Sequence, residues 1–136
     1  MKTLLLATII FNLGYTTLAA QDYDRGYIAY EAGDYATALR EWRPLAEQGD
    51  AQAQHNLASM HNKGEGVSAD DTEAVKWYLL AAEQGVSSAQ YNLGNAYRNG
   101  EGVNQDYSEA KKWYLLAAEQ GHAKAQYYLG MMFHHG

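Results

Sequence analysis

The nine residues WYLLAAEQG occur twice, at Trp77–Gly85 and Trp113–Gly121, 36 residues apart. At the same spacing Gly49 joins Gly85 and Gly121, Ala38 joins Ala74 and Ala110, Leu57 joins Leu93 and Leu129, and Gln54 joins Gln90 and Gln126. Gly64-x-Gly66-Val67 returns as Gly100-x-Gly102-Val103 without a gap. A fixed period of this length marks stacked supersecondary units, each of which can bury its apolar face only against a neighbour. Thirteen Gly, twelve Tyr and three Trp against a single Pro are what such repetition produces.

Within a unit, residues 70–84 place Ala74, Trp77, Tyr78, Ala81 and Ala82 at helical spacing as one apolar stripe. Asp70 with Glu73, and Asp106 with Glu109, predict an acidic form of the capping box, and Asp34 stands at the same register before the earlier copy. Gly49, Gly85 and Gly121 each follow Ala-Glu-Gln, where a left-handed residue ends a helix without a Cβ penalty. A partner helix is predicted over 87–98, with Ala89, Leu93, Ala96 and Tyr97 on one face and copies beginning at Ala51 and Ala123. Two glycines in each connecting loop permit positive φ, and the following Val returns to the core. An abbreviated leading pair is expected over 22–32 and 35–48, with Gly33 as its turn. Pro44 is expected to kink the second of these helices. Trp77 and Trp113 are the bulky residues that fill space between successive pairs, beside Ala-Ala steps that let the next helix approach.

Three stretches carry a family pattern: Ala-x-Ala-Gln-x-x-Leu-Gly, then Tyr-x-x-Gly-x-Gly-Val, then Asp-x-x-x-Ala-x-x-Trp-Tyr-x-x-Ala-Ala-Glu-Gln-Gly. Residues 89–121 follow it almost without exception, 53–85 follow it with Ala58 and His61 where Gly and Tyr are usual, and 125–136 follow it in part. This resembles the Sel-one-like repeat (SLR), a relative of the tetratricopeptide repeat, and Gly33–Leu39 looks like a tetratricopeptide-style leading unit. The resemblance implies an all-α fold, a right-handed α/α solenoid of stacked helix pairs. Its organisation would be a leading pair over 22–49, repeats over 50–85 and 86–121, and the first helix of a third over 122–136. Members serve mainly as protein-interaction scaffolds, in bacteria often exported, so a protein or extended peptide is the expected partner.

Carried onto this sequence, the groove register of such stacks selects Gln52, His55, Ser59 and Asn62; Ser88, Tyr91, Asn95 and Arg98; and Lys124, Tyr127, Met131 and His134. These positions change from copy to copy while core letters hardly do. Their mixture of amide, hydroxyl, aromatic and cationic groups suits an extended segment held by hydrogen bonds and aromatic contact. Tyr91, Asn95, Arg98 and Tyr127 are the foremost candidates. The plainer alternative is that Tyr91 and Tyr127 only cover neighbouring helices.

Other chemistries find little support. The net charge of -6 offers no basic stripe for nucleic acid. No cofactor is expected. None of the five His (His55, His61, His122, His134, His135) has metal-ligand spacing, and His61, at the tyrosine register, is expected to be packed in the core. Ser108-Glu-Ala-Lys111 formally matches the Ser-x-x-Lys element of penicillin-recognising enzymes, but the companion Ser-Asp-Asn and Lys-Thr-Gly elements are missing. Cysteine-rich exported SLR relatives are linked to weak penicillin hydrolysis, which makes a β-lactamase-like hydrolase the alternative function. This chain has no Cys.

Met1-Lys2 followed by the apolar run to Leu13 predicts a signal peptide, cleaved after Ala19 or, as second choice, Ala20. A periplasmic or secreted protein is expected, with no transmembrane segment after cleavage. At Gly136 the third unit lacks its second helix, and Leu129, Phe133 and Met132 are expected to form an open apolar face. The chain as a fragment of a longer array, docking of that end on a partner or on another copy, and fraying of the last helix are the competing readings. The first is preferred.

Overall fold

A computed structural model describes residues 18–135, and seven helices and no strand occur among them. The apolar run assigned to a signal peptide lies outside the described residues, whereas Ala19 and Ala20 belong to the helix α1, described over 18–31. The others are α2 (Tyr35–Glu47), α3 (Ala51–Lys63), α4 (Asp71–Glu83), α5 (Ser87–Asn99), α6 (Tyr107–Glu119) and α7 (Ala123–His134). From α2 onward each packs against its neighbours in the chain, giving an α/α solenoid of helix pairs.

The caps fall where the carboxylates predict them. Asp34, Asp70 and Asp106 accept the amides of Thr37, Glu73 and Glu109 at the starts of α2, α4 and α6. Such a cap contributes about 1 kcal/mol. The capping box is only half made, however. The amides of Asp70 and Asp106 donate instead to the carbonyls of His61 and Tyr97, which ties each second helix to the first helix of its own unit. Freed from the box, the Glu73 carboxylate accepts from Trp77 Nε1 at 3.1 Å.

The predicted stops are Schellman turns. Gly49, Gly85 and Gly121 have φ of 101°, 92° and 86°. At the first, the amides of Gly49 and Asp50 donate to the carbonyls of Ala46 and Leu45, and the other two repeat the pattern. α2 stays helical through Pro44, which lacks only the amide that would bond four residues back. Glycine has a different role at Gly102, where φ is 72° and an added Cβ would overlap the Asp71 carbonyl. At Gly66 a Cβ would lie 2.8 Å from that of Tyr35. These loops therefore seat their backbone directly on the second helix of the preceding unit.

Leu57, Leu93, Ala74 and Ala110 are essentially sealed from solvent at the core of successive units. Burying a leucine side chain contributes about 1.5–3 kcal/mol. Trp113 of α6 is 9% exposed and joins the core of the unit before it, while the half-buried Trp77 touches the cores on both sides. Both tryptophans thus span units, as their recurrence suggests. Of the C-terminal apolar residues, Leu129 and Met132 are half-buried against the Tyr114 cluster, and Phe133 is 65% exposed.

The recurring glutamines form a polar relay through this core. Gln54 Nε2 donates to the Ala46 carbonyl, and Gln84 Nε2 donates to Gln54 Oε1 at 2.9 Å and to the Gly49 carbonyl. One unit later Gln90 donates to Ala82 and Gln120 to Gln90, and Gln126 begins the next round by donating to Ala118. Replacing Gln90 by Ala takes one of two donors from the Ala82 carbonyl, which keeps the Gly85 amide, and leaves the Gln120 amide without its acceptor. Urea unfolding should show a loss of about 1–3 kcal/mol, against a change within about 0.5 kcal/mol for Glu119→Ala on the exposed face.

His61 occupies the core as expected, and neither ring nitrogen has a hydrogen-bond partner. Burial pushes its imidazole below the ordinary 6.5, an effect that Glu73 and Asp70 oppose and Arg43 assists. Burial likewise lowers His55. Because the unfolded chain takes up these protons at higher pH than the folded one, the stabilisation is full above about pH 6.5. It is lost as pH falls from there through the depressed folded values. Urea midpoints measured between pH 7.5 and 5 should therefore decline, and His61→Tyr, the residue at the matching register of the next unit, should reduce the slope.

Candidate functional site

The leading helices α3, α5 and α7 share a face marked by three clefts. The first, about 220 Å³, has walls of Tyr23, Tyr27, Tyr30 and Trp42 and takes Gln52, Asn56 and Ser59 from α3. The second, about 260 Å³, lies between α3, α4 and α5 and is mostly polar. The third, about 580 Å³, lies between α6, α7 and the end of α5.

These clefts are one feature repeated. Asn62, Asp71, Val75, Asn92, Asn95, Ala96 and Asn99 of the second stand 36 residues before Arg98, Tyr107, Lys111, Tyr128, Met131, Met132 and His135 of the third. Trp42, Asn56 and Ser59 hold the corresponding places in the first. The period that fixes the core therefore also sets a cleft in each unit, and the side chains lining it change from aromatic to polar amide to basic and apolar.

The predicted residues distribute over this face unevenly. Gln52 and Ser59 line the first cleft; Asn62, Tyr91, Asn95 and Arg98 the second; Arg98 and Met131 the third. His55 stands between units, its ring centroid 5.8 Å from that of Tyr78 and its Nε2 3.5 Å from Asn92 Nδ2. Ser88, Lys124, Tyr127 and His134 sit outside the three clefts. Tyr127 is 64% exposed, whereas Tyr91, at the same register, is half-buried and stacked on His122 at 4.7 Å. Tyr91 also meets Tyr114 and Tyr128, so it covers neighbouring helices and lines a cleft at once.

Part of the polar lining is held from below. Tyr114 Oη donates to Asn95 Oδ1 at 2.6 Å, and the polar side chains of Ser59 and Asn92 stand near the Tyr78 phenol. Burial pushes both phenols up to about 12, so they remain neutral across the physiological range. Asn62 Nδ2 donates to Asp71 Oδ1. Arg98 differs. Its guanidinium lies 4.3 Å from the Tyr128 ring centroid and its Nε donates to Asn99, while no carboxylate among the described residues pairs with it.

A single helical stripe does not name the whole cleft. Asn92 and Tyr128 come from the adjacent stripe, and Asp71 and Tyr107 from the first residues of the second helices. Their signal was weaker than that of the predicted positions, since the shared register holds Asn at both 56 and 92 and changes only at Tyr128. Ser108 and Lys111 both reach the third cleft, with Lys111 Nζ 4.0 Å from the Phe133 ring centroid and no hydrogen bond joining the pair among the described residues. No group of three or more His, Asp or Glu arranged to hold a metal ion occurs among the described residues, and no described helix is long and apolar enough to cross a membrane.

Solved structures share this architecture. A protective antigen of uropathogenic Escherichia coli with an SLR fold is 40% identical, with a TM-score of 0.81 over 88% of this chain and 26% of that one. A Sel1 repeat protein of Oxalobacter formigenes is 39% identical, with a TM-score of 0.78 over 81% of this chain and 45% of that one. An exopolysaccharide production negative regulator of Rhizobium leguminosarum bv. viciae is 40% identical over 53 residues, 39% of this chain and 20% of the regulator. The chain thus spans less than half the length of each. The Sel1 repeat matches at residues 51–86, 87–122 and 123–136, and the chain belongs to the Sel1 repeat family.

Proposed function

We propose that this chain is an exported interaction module that holds an extended protein segment along the clefts of its leading helices. Sel1 repeats are a scaffold type of fold associated with protein interaction, and the family supplies that coarser statement. The observation that carries the finer one is the threefold cleft, whose backbone setting is constant while its lining changes. An extended peptide crossing the three would meet a different chemistry at each step, which is how repeat surfaces obtain specificity. A relative named as a negative regulator fits a protein that acts by binding. The hydrolase alternative would need Lys111 to accept a proton from Ser108, and the arrangement of Lys111 over Phe133 does not bring that about.

Peptides selected from a displayed library on the purified chain, then titrated by calorimetry, test this reading. Tyr91→Ala and Arg98→Ala should each weaken a selected peptide by at least about tenfold, roughly 1.4 kcal/mol, while Glu119→Ala leaves it unchanged. Failure to select any peptide, or affinities indifferent to both substitutions, would remove the groove from consideration. Export has its own test. Expression of the full chain in a bacterium should yield a mature protein beginning at Ala20 or Gln21 in the periplasm or medium, and a cytoplasmic product retaining Met1 would refute it.

A further inference from the structure

The first cleft is aromatic where the second is polar, and its opening does not depend on an end of the chain. It lies between the leading helices α1 and α3 with α2 beneath, as the second lies between α3 and α5 over α4. Gly26 lets α1 rest on the Trp42 indole as Gly94 lets α5 rest on the Tyr114 ring, and the Asp34 amide donates to Ala29 as the Asp70 amide does to His61. These contacts set Tyr23, Tyr27 and Tyr30 of α1 at the register of His55, Ser59 and Asn62 on α3, which stay half-buried or exposed with helix pairs on both sides. No other leading helix carries tyrosine at all three places. The rings are steadied from the core side: Trp42, 2% exposed, lies 5.9 Å from the Tyr23 ring centroid and 5.6 Å from that of Tyr30. Asn56 Nδ2 donates to Tyr23 Oη, and Tyr30 Oη donates to Glu65 and accepts from Lys63 Nζ. Tyr27 is 52% exposed, and no hydrogen bond among the described residues uses its hydroxyl or the phenol proton of Tyr23. Gln52 and Ser59 add an amide and a hydroxyl, and no charged side chain lines the cleft.

Resting on the reading of this face as a peptide groove, we propose that the first cleft takes a proline-rich stretch of the bound segment, in the polyproline II conformation and lying along α1. Proline offers a flat apolar ring and a carbonyl acceptor, and it lacks the amide donor. The cleft is its complement, with tyrosine faces for the rings, and with the Tyr23 and Tyr27 hydroxyls and the Gln52 amide as donors to the carbonyls. Tyr23 and Tyr30 stand about 10.5 Å apart along α1, close to the roughly 9.3 Å in which polyproline II brings every third residue back to one side. That conformation is preformed in a proline-rich segment, so little ordering entropy opposes its docking. A saccharide also suits aromatic faces, but its many hydroxyl donors need acceptors, and no carboxylate lines this cleft.

Fluorescence anisotropy with two labelled decapeptides tests the proposal. One has proline at every third position with serine and glutamine between, and the other has alanine at each proline. The proline peptide should bind at least about tenfold more tightly. The margin should hold as ionic strength rises, because no charge lines the cleft. Tyr27→Ala, an exposed substitution that leaves the core untouched, should remove most of the margin, and Tyr27→Phe, which keeps the ring, should retain the larger part of it. Tyr127→Ala, at a still more exposed tyrosine outside the clefts, should leave it unchanged. Equal binding of the two peptides, a margin unchanged in Tyr27→Ala, or tighter binding of cellohexaose than of the proline peptide overturns the proposal. If neither decapeptide binds while library-selected peptides do, the proline preference fails and the groove stands. If no peptide of any kind binds, both fail.

Discussion

A buried amide satisfied jointly by the preceding unit and by the second helix of its own unit holds this solenoid in register. Gln54 and Gln90 each donate to a carbonyl at the end of the preceding helix and accept from the glutamine that ends the following one. Removing either neighbour leaves a polar group in a dry site, a loss of about 1–3 kcal/mol that hydrophobic contact alone does not repair. Apolar faces tolerate sliding by small amounts, but a hydrogen bond near 3 Å does not. The relay therefore converts a general tendency of amphipathic helices to stack into one particular stacking, and it explains why Gln precedes the final Gly of the repeated nine-residue string.

Around that relay, the close approach of helices is set by what is missing from side chains. Gly94 has no Cβ, and one added there would fall 2.7 Å from the Tyr114 ring. Ala58 holds the same register one unit earlier, opposite Tyr78, and that phenol is slightly less buried than Tyr114. Neighbouring units are thus similar without being identical, and the difference of one methyl group is carried into how deeply each tyrosine sits. Trp77 and Trp113 take up the remaining space on the other side of the same helices and link the cores that the glycines and alanines bring together.

Most of this architecture was legible in the sequence because its causes are local or periodic. A cap needs an oxygen at one position, a Schellman turn needs a glycine at one position, and an apolar stripe needs only spacing. Asp34, Asp70, Asp106, Gly49, Gly85 and Gly121 met those conditions and behave accordingly. The half-made capping box was less legible, because the partners that displace it, the carbonyls of His61 and Tyr97, are brought near by tertiary packing. The clefts were legible in part. A stripe on one helix located Asn62, Tyr91, Asn95 and Arg98, but a cleft has walls from several helices, and Asp71, Asn92 and Tyr128 enter only once those helices are in place.

The phenols connect the two layers. Tyr78 and Tyr114 are core residues by burial, yet the Tyr114 hydroxyl ends on Asn95 in the second cleft, and Ser59 and Asn92 stand near the Tyr78 phenol. A hydroxyl that must find a partner inside the fold positions the amide it bonds, so part of the cleft lining is ordered before anything arrives. Asn95 and Arg98 consequently differ in kind, although both line the second cleft one turn apart on α5. The first is fixed by the core, and its loss disturbs Tyr114. The second is steadied by an aromatic face and has no carboxylate partner among the described residues. A surface built this way presents a preset row of amides with a few cations free to choose a ligand. Evolution can then alter the cations without unsettling the stack, as the change from Asn62 to Arg98 at one register illustrates.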